Sequence, residues 1–135
     1  MTTTVILVLG VTILLILLIR LWRTPSKPKR ELPANEARLY MFYTNWCGWS
    51  KKAMPEWEKL TETLKKTPIF GTTTVKMTPV DAEADRKLAD QYEVEGYPTI
   101  LLESSDGITH FQKRVSHDGL LQFLRQTLGK ERASL

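Results

Sequence analysis

The amino-acid sequence predicts an α/β domain with the element order βαβαββα, preceded by one apolar N-terminal helix. Three observations predict it. Residues 5–19 form an apolar run without a charge, four later runs are rich in β-branched or aromatic residues, and three further stretches carry apolar residues at helical spacing. The single cysteine, Cys47, lies where the first strand gives way to the first helix of the domain.

The N-terminal segment has the length and composition of a membrane-spanning helix. The stretch from Thr4 to Trp22 would extend roughly 28 Å at 1.5 Å per residue, close to the about 30 Å of a hydrocarbon core. Arg20 can snorkel and Trp22 suits the interface. A cleaved signal peptide is the alternative, but residues 1–4 carry no positive side chain and no small-x-small cleavage site follows. The sequence predicts an uncleaved single-pass anchor over residues 1–22.

Charge is distributed unevenly along the chain. Residues 20–30 contain five Lys or Arg and no acid, whereas residues 31–135 contain 14 Lys+Arg and 15 Asp+Glu, a net of −1. Positive residues next to an apolar span predict that the following domain lies on the cytosolic face, with the N-terminus outside or lumenal. Because the domain is nearly neutral, the charge pattern argues against a nucleic-acid partner.

The rest of the chain divides into three parts. Residues 23–36 contain three prolines and many charges, which is typical of an extended linker. Residues 37–129 should form the domain, and residues 130–135 a C-terminal tail. The domain begins with a buried strand over 38–43 and a helix over 48–67 that Pro55 should kink. The apolar positions of this helix are Ala53, Met54, Trp57, Leu60 and Leu64.

The second half of the domain follows from the same patterns. Strands are predicted at 73–80, 99–103 and 108–113, the last two as a hairpin, and a helix is predicted at 84–92. The final helix should be capped by Asp118 and stopped by Gly129, with its apolar face made by Leu120, Leu121, Phe123, Leu124 and Leu128.

The stretch Trp46-Cys47-Gly48-Trp49-Ser50 carries the chemistry. A cysteine at a helix N-terminus has a lowered pKa, since free N–H groups and the positive end of the helix dipole stabilise the thiolate. Gly48 should allow a tight turn, and the Ser50 hydroxyl can donate a hydrogen bond to the sulfur. With one cysteine, any disulfide must join this chain to another molecule. His110 and His117 are expected at the surface, and one Cys with two His provides no closed metal site.

Four features resemble the thioredoxin superfamily, in its protein disulfide isomerase branch. They are a strand leading into Trp46-Cys47-Gly48, Pro55 eight residues after the cysteine, Val80-Asp81-Ala82 before a helix, and Val94-Glu95-Gly96-Tyr97-Pro98-Thr99 as a cis-proline segment. The resemblance implies a trimmed thioredoxin fold, a central mixed sheet flanked by helices. It also implies thiol–disulfide exchange or isomerisation through mixed disulfides, without a cofactor. Tyr97 would offer its backbone to a client and Pro98 would pack beside the sulfur. Trp46 and Trp49 would form an apolar rim, and Gly48 would belong to the same client-binding set.

Two departures from the family pattern are consistent with each other. Ser50 stands where the resolving cysteine would be, so an external thiol such as glutathione would have to release a mixed disulfide. Met41 stands six residues before Cys47, where the family usually buries an acid that deprotonates the resolving thiol. The chain is therefore expected to be a monothiol variant with Cys47 and Ser50 as catalytic residues.

Other interpretations remain. Cys47-Gly48-Trp49-Ser50 is similar to the site of monothiol glutaredoxins, but Ser104-Ser105-Asp106-Gly107 poorly replaces their Gly-Gly-x-Asp segment. A redox-inactive adaptor tethered to a membrane is the alternative from another class. The site also resembles anchored thioredoxin-like proteins of large double-stranded DNA viruses, which would make it a minor capsid or virion membrane component. The expected membrane is accordingly the endoplasmic reticulum or a virion inner membrane, with the domain facing the cytosolic side.

Overall fold

The computed structural model of the protein describes residues 1–22, 32–129 and 131–132. The chain divides into two compact units, Met1–Arg30 and Glu31–Leu135. The described part of the first unit is one helix, α1, Thr2–Trp22. Its apolar side chains from Val5 to Ile19 are all about half exposed or more, between 49% and 68%.

The predicted transmembrane character of this segment is not supported. Across the described residues, no helix is both long enough and apolar enough to cross a membrane. The predicted linker over residues 23–36 falls mostly outside the described residues.

The second unit is an α/β domain whose elements appear in the predicted order, with additions. They are β1 Glu36–Tyr43, α2 Gly48–Lys66, β2 Ile69–Phe70, β3 Thr73–Asp81, α3 Arg86–Gln91, β4 Thr99–Ser104, β5 Gly107–His110, α4 His117–Leu128 and β6 Glu131–Arg132. The sheet has the strand order β5-β4-β1-β3-β2-β6. β1 and β3 run parallel and the other neighbours antiparallel, which confirms the expected mixed sheet.

Helices cover both faces of the sheet. Alternate residues of a strand point to opposite faces, and β1 shows this directly. Leu39 and Met41 pack with α2 and α4, while Tyr40 and Phe42 pack with α3. All four side chains are at most 3% exposed. Because β1 is buried on both faces, its end, where Cys47 follows, has a fixed position in the domain.

The structure corrects several details of the predicted elements. β2 and β6 were not predicted, because strands of two residues carry no recognisable alternation. Gly71, in the turn before β3, has φ of 61°, a conformation that glycine adopts without strain. A Cβ at this position would lie 2.5 Å from the Leu128 carbonyl oxygen, so a larger residue would clash. The cap of α4 is Ser116, whose Oγ accepts a hydrogen bond from the Gly119 N–H, and not Asp118. Gly129 does end α4, as predicted.

Candidate functional site

Cys47 sits at the junction between β1 and α2. It is the N-cap residue of α2, with extended backbone angles of φ −77° and ψ 119°, and its carbonyl accepts the first helical hydrogen bond from the Lys51 N–H at 3.1 Å. The side chain is half-buried. This position points the free N–H groups of the first helical turn toward the sulfur, as the sequence predicted.

The thiol contacts the segment that precedes β4. Cys47 Sγ donates to the Tyr97 carbonyl oxygen at 3.4 Å. The Tyr97–Pro98 peptide bond is cis, in agreement with the predicted cis-proline segment. The fold thus brings together residues 50 positions apart in the chain and places the backbone of Tyr97 beside the sulfur.

Ser50 stabilises the thiolate form of Cys47 by hydrogen bonding. Its side chain is 1% exposed, and its Oγ accepts a hydrogen bond from the Thr44 N–H at 3.4 Å, which leaves the hydroxyl proton available to the sulfur. The pKa of Cys47 is lowered, first by the backbone N–H of Ser50 and further by the Ser50 side chain and the Trp49 N–H, while partial burial opposes them. The site therefore favours a reactive thiolate.

The expected role of Gly48 in a tight turn is wrong. Gly48 does not have a positive φ, and a Cβ added to it would meet no atom within 4 Å. Since an N-cap followed by a regular helix needs no left-handed residue, a larger side chain would fit at this position.

Two exposed tryptophans flank the cysteine. Trp46 is 66% exposed, donates from Nε1 to Glu83 Oε1 at 3.2 Å and meets the Tyr97 ring edge-on at 6.2 Å. Trp49 is 62% exposed, and Lys52 Nζ lies 4.9 Å from its ring centroid. Trp57, in contrast, is buried, as predicted. The two exposed rings form an apolar rim on either side of the thiol.

Two grooves meet at Tyr97. The larger, of about 720 Å³, runs past Trp49, Lys52, Pro98 and Arg114. The smaller, of about 290 Å³, is lined by Thr44, Trp46, Glu83 and Asp90 among others. Thr44 is 2% exposed, and its Oγ1 has no hydrogen-bond partner in the described part of the chain. Sequence reasoning missed Arg114, because it belongs to no motif and only the fold places it in one groove with Trp49 and Tyr97. It also missed Thr44, three positions before Cys47, because only the fold shows that its side chain is buried.

The buried charge of the domain lies away from the thiol. Met41 is fully buried, so no acid lies there. A carboxylate is buried instead on β4, where Glu103 accepts a hydrogen bond from the Tyr92 hydroxyl at 2.9 Å. Burial, then hydrogen bonds to Tyr40 and Glu103, raise the pKa of Tyr92. Glu103 pairs in register with Arg38, at the end of β1 opposite to Cys47.

The histidines are not part of the site. His110 is exposed, as expected. His117 is not a free surface residue: it is half-buried, with Nε2 3.0 Å from Thr63 Oγ1 and Nδ1 2.8 Å from Asp118 Oδ1. Within the described ranges, no group of three or more His, Cys, Asp or Glu side chains is placed to hold a metal.

The parallel β1–β3 pair, the thiol at the start of α2 and the cis-proline opposite it define a thioredoxin-type domain with a single thiol. A family model described as thioredoxin matches residues 24–126. The chain belongs to the thioredoxin family, and its relatives place the domain in the protein disulfide isomerase type.

The chain matches a small part of each curated relative. The chain is 37% identical over 92 residues to a protein disulfide-isomerase of Ricinus communis, covering 65% of this chain and 18% of the relative. It is 40% identical over 78 residues to protein disulfide-isomerase A6 of Mesocricetus auratus, covering 57% of this chain and 16% of that protein. The chain thus spans less than a fifth of the length of these curated relatives.

Solved structures agree with this assignment. The first thioredoxin domain of mouse protein disulfide-isomerase A4 matches with a TM-score of 0.57 and 28% identity, over 67% of this chain and 61% of that one. Human ERp44 matches with a TM-score of 0.59 and 23% identity, over 69% of this chain and 28% of that one, which bears on the fold alone.

Proposed function

We propose that this protein is a monothiol thioredoxin-like protein that forms mixed disulfides with client proteins or glutathione and so takes part in thiol–disulfide exchange or isomerisation. One observation carries the proposal: the Cys47 sulfur lies at the N-terminus of α2, with a lowered pKa, 3.4 Å from the Tyr97 carbonyl beside cis-Pro98. Similarity to protein disulfide isomerases supports a thiol–disulfide oxidoreductase.

The exchange needs two steps. The Cys47 thiolate attacks one sulfur of a client disulfide, a new sulfur–sulfur bond forms, and the second client sulfur leaves as a thiolate. An external thiolate, such as that of glutathione, then attacks the mixed disulfide, and Cys47 leaves as a thiolate. Tyr97 would hold the client backbone, and Trp46 and Trp49 would cover its apolar flanks. No net oxidation occurs in the first step, because one disulfide replaces another.

The direct test is the pH dependence of Cys47 alkylation by iodoacetamide on the full chain in detergent. Since the thiolate is the nucleophile, the rate should rise with pH through a midpoint below about 8.5, the usual value of a free thiol. Cys47→Ser is the unlabelled control. A midpoint at or above the free-thiol value, or labelling only after unfolding, would contradict the proposal.

The monothiol character can be tested by restoring the second thiol. Ser50→Cys places a nucleophile within one helical turn of Cys47, where the effective concentration of an intramolecular thiol is far higher than that of free glutathione. A mixed disulfide between Cys47 and a model peptide should then be released much faster in the absence of added thiol, by about a hundredfold or more. Ser50→Ala is the matched control and should leave release dependent on added thiol.

A redox-inactive adaptor is the second candidate, and the exposed rings of Trp46 and Trp49 favour it, because they offer an apolar surface that needs no thiol. Client binding that survives Cys47→Ser but is lost in Trp46→Ala/Trp49→Ala would support the adaptor. The opposite pattern would support the thiol-dependent protein.

We also propose that the N-terminal segment attaches the domain to a membrane, with the domain on the cytosolic side. Support comes from the uncharged run 5–19, whose apolar side chains are exposed, and from the five positive residues of 20–30. The protein should stay with membranes through alkaline extraction, and Leu14→Lys/Leu15→Lys should release it. Protection of the C-terminus from protease in sealed vesicles would contradict the proposed orientation. A viral or endoplasmic reticulum origin stays a prediction from sequence.

A further inference from the structure

The larger groove beside the thiol is electropositive. Its walls include Lys52 of α2 and the consecutive Lys113 and Arg114 of the loop between β5 and α4, and it is called the basic groove below. Trp49, Tyr97 and Pro98 form the end nearest to Cys47, because Tyr97 is the residue that contacts the sulfur. A molecule disulfide-bonded to Cys47 therefore has the basic groove directly beside it.

The three cations are available to a ligand. Lys52, Lys113 and Arg114 are exposed, and no carboxylate of the described residues forms an ion pair with any of them. Lys52 Nζ lies 4.9 Å from the centroid of the Trp49 ring. Unpaired cations that share a concave wall attract anionic groups more strongly than scattered surface lysines.

The acid that lines the basic groove is already occupied. One Glu56 carboxylate oxygen accepts from Lys59 Nζ at 2.6 Å and the other from the His117 N–H at 2.8 Å. The first of these contacts, then the second, lower the pKa of Glu56, so this acid stays ionised and forms an ion pair with Lys59. The three cations still outnumber this one acid in the lining of the basic groove.

The smaller groove, on the Trp46 side of the thiol, carries the opposite charge. It is lined by Glu83 and Asp90 with Arg86 as its cation. Cys47 and Tyr97 thus lie between a basic and an acidic flank, and a client can satisfy both only in one direction of its chain.

We propose that the basic groove selects polypeptide clients that carry acidic residues next to the cysteine that exchanges with Cys47. The inference rests on the proposed thiol chemistry and names its substrate class. The exchange itself is unchanged: the Cys47–client sulfur bond forms, the client's own disulfide breaks, and its second sulfur leaves as a thiolate. Before the exchange, the cations raise the local concentration of acidic clients. After it, they hold the client part of the mixed disulfide in place.

The test compares matched disulfide-bonded peptides on the full chain in detergent. The peptides carry Asp, Asn or Lys on only one side of the reactive cysteine, both sides are tried, and the rate of mixed-disulfide formation with Cys47 is compared on the side where Asp reacts faster. At low ionic strength the Asp peptide should react about tenfold faster than the Asn peptide, and the preference should shrink in high salt. The Lys peptide should be the slowest.

Charge variants locate the effect. Lys113→Gln/Arg114→Gln should bring the Asp-to-Asn ratio of rates close to one. Lys66→Gln/Lys87→Gln removes the same charge from exposed lysines that do not line either groove, and should leave the ratio unchanged. A fall of the ratio in both double variants would show a general charge effect and overturn the basic groove as its source.

The outcomes separate the two proposals. If Cys47 reacts equally with all peptides, the thiol chemistry stands and acidic selection is wrong. If glutathione disulfide reacts faster than the Asp peptide and Lys113→Gln/Arg114→Gln removes that advantage, the groove serves glutathione and the polypeptide client is wrong. If no disulfide reacts, the thiol chemistry is wrong and selection of exchanging clients falls with it. Anisotropy of a labelled Asp peptide with Ser for Cys then shows whether the groove still binds acidic chains.

Discussion

The two faces of the central sheet bury different types of side chain. The face under α2 and α4 carries the larger apolar cluster, with Trp57, Leu60, Leu102 and Leu120 among its buried side chains. The face under α3 is smaller and rich in aromatic rings: Tyr40, Phe42 and Tyr92 pack with centroids 5.1–5.8 Å apart. Glu103 is also buried on this side and holds the Tyr92 hydroxyl.

This difference shows what activates the thiol. Cys47 begins α2, which covers the apolar face, and Met41 on that face carries no charge. The buried carboxylate, Glu103, stands on the other face and pairs in register with Arg38, near the start of β1. The lowered pKa of Cys47 therefore comes from Ser50 and the helix N–H groups and not from a buried acid. Substitutions of buried side chains on either face should lower the free energy of unfolding without changing the pKa of Cys47.

The largest effect is expected from Trp57→Ala on the apolar face. Trp57 is 2% exposed, and removing a buried aromatic side chain leaves a cavity that lowers the free energy of unfolding by about 3–5 kcal/mol. Trp49→Ala is the matched control, because the same residue type is 62% exposed eight positions earlier on the same helix and should change stability little. Urea unfolding of the full chain in detergent measures both. Equal losses in the two variants would mean that the apolar face does not dominate stability.

A smaller effect is expected on the aromatic face. Glu103→Leu leaves the buried Tyr92 hydroxyl without its acceptor, which lowers the free energy of unfolding by about 1–3 kcal/mol. Tyr92→Phe removes the donor, and adding it to Glu103→Leu should recover part of the loss, as a double-mutant cycle would show. The midpoint of Cys47 alkylation should stay unchanged in all three variants. A shifted midpoint would mean that Glu103 does influence the thiol.

More of the fold than of the site could be predicted from the sequence. Buried strands and helices follow from periodicity, so β1, α2, β3 and α4 lie close to their predicted bounds. The two-residue strands β2 and β6 could not be predicted, since pairing with neighbours defines them. Local motifs located Cys47 and Ser50 correctly at the start of α2. The basic groove could not be foreseen, because Lys52 and Arg114 are 62 positions apart and only the packing of α4 against α2 brings them together.

Ser50→Ala should change the reactivity of the thiol, and it should also lower stability, because the buried Thr44 N–H loses its acceptor. The variant removes the hydroxyl that supports the Cys47 thiolate but keeps the backbone N–H of residue 50, so the pKa of Cys47 should rise only part of the way to that of a free thiol. Losing one hydrogen bond of about 0.5–1.5 kcal/mol predicts a fall of roughly two- to tenfold in the alkylation rate at pH 7. Ser116→Ala, which removes the cap of α4, is the control. It should lower stability and leave the rate unchanged.

The smallest effect is expected where the apolar face ends in a polar contact between α2 and α4. Glu56 accepts hydrogen bonds from Lys59 Nζ and the His117 N–H, which lower its pKa, chiefly through Lys59. A lowered pKa adds stability above the pKa of the unfolded chain, about 4.3 for Glu, and that contribution disappears as the pH falls through the lower folded value. Glu56→Gln should therefore destabilise the domain slightly at pH 7 and flatten its loss of stability below pH 4.3. Glu58→Gln, on the exposed side of α2, should change neither. If both variants keep the pH dependence of the wild type, the contact joining the two helices contributes nothing, and their apolar packing alone holds the loop that carries Lys113 and Arg114 beside the thiol.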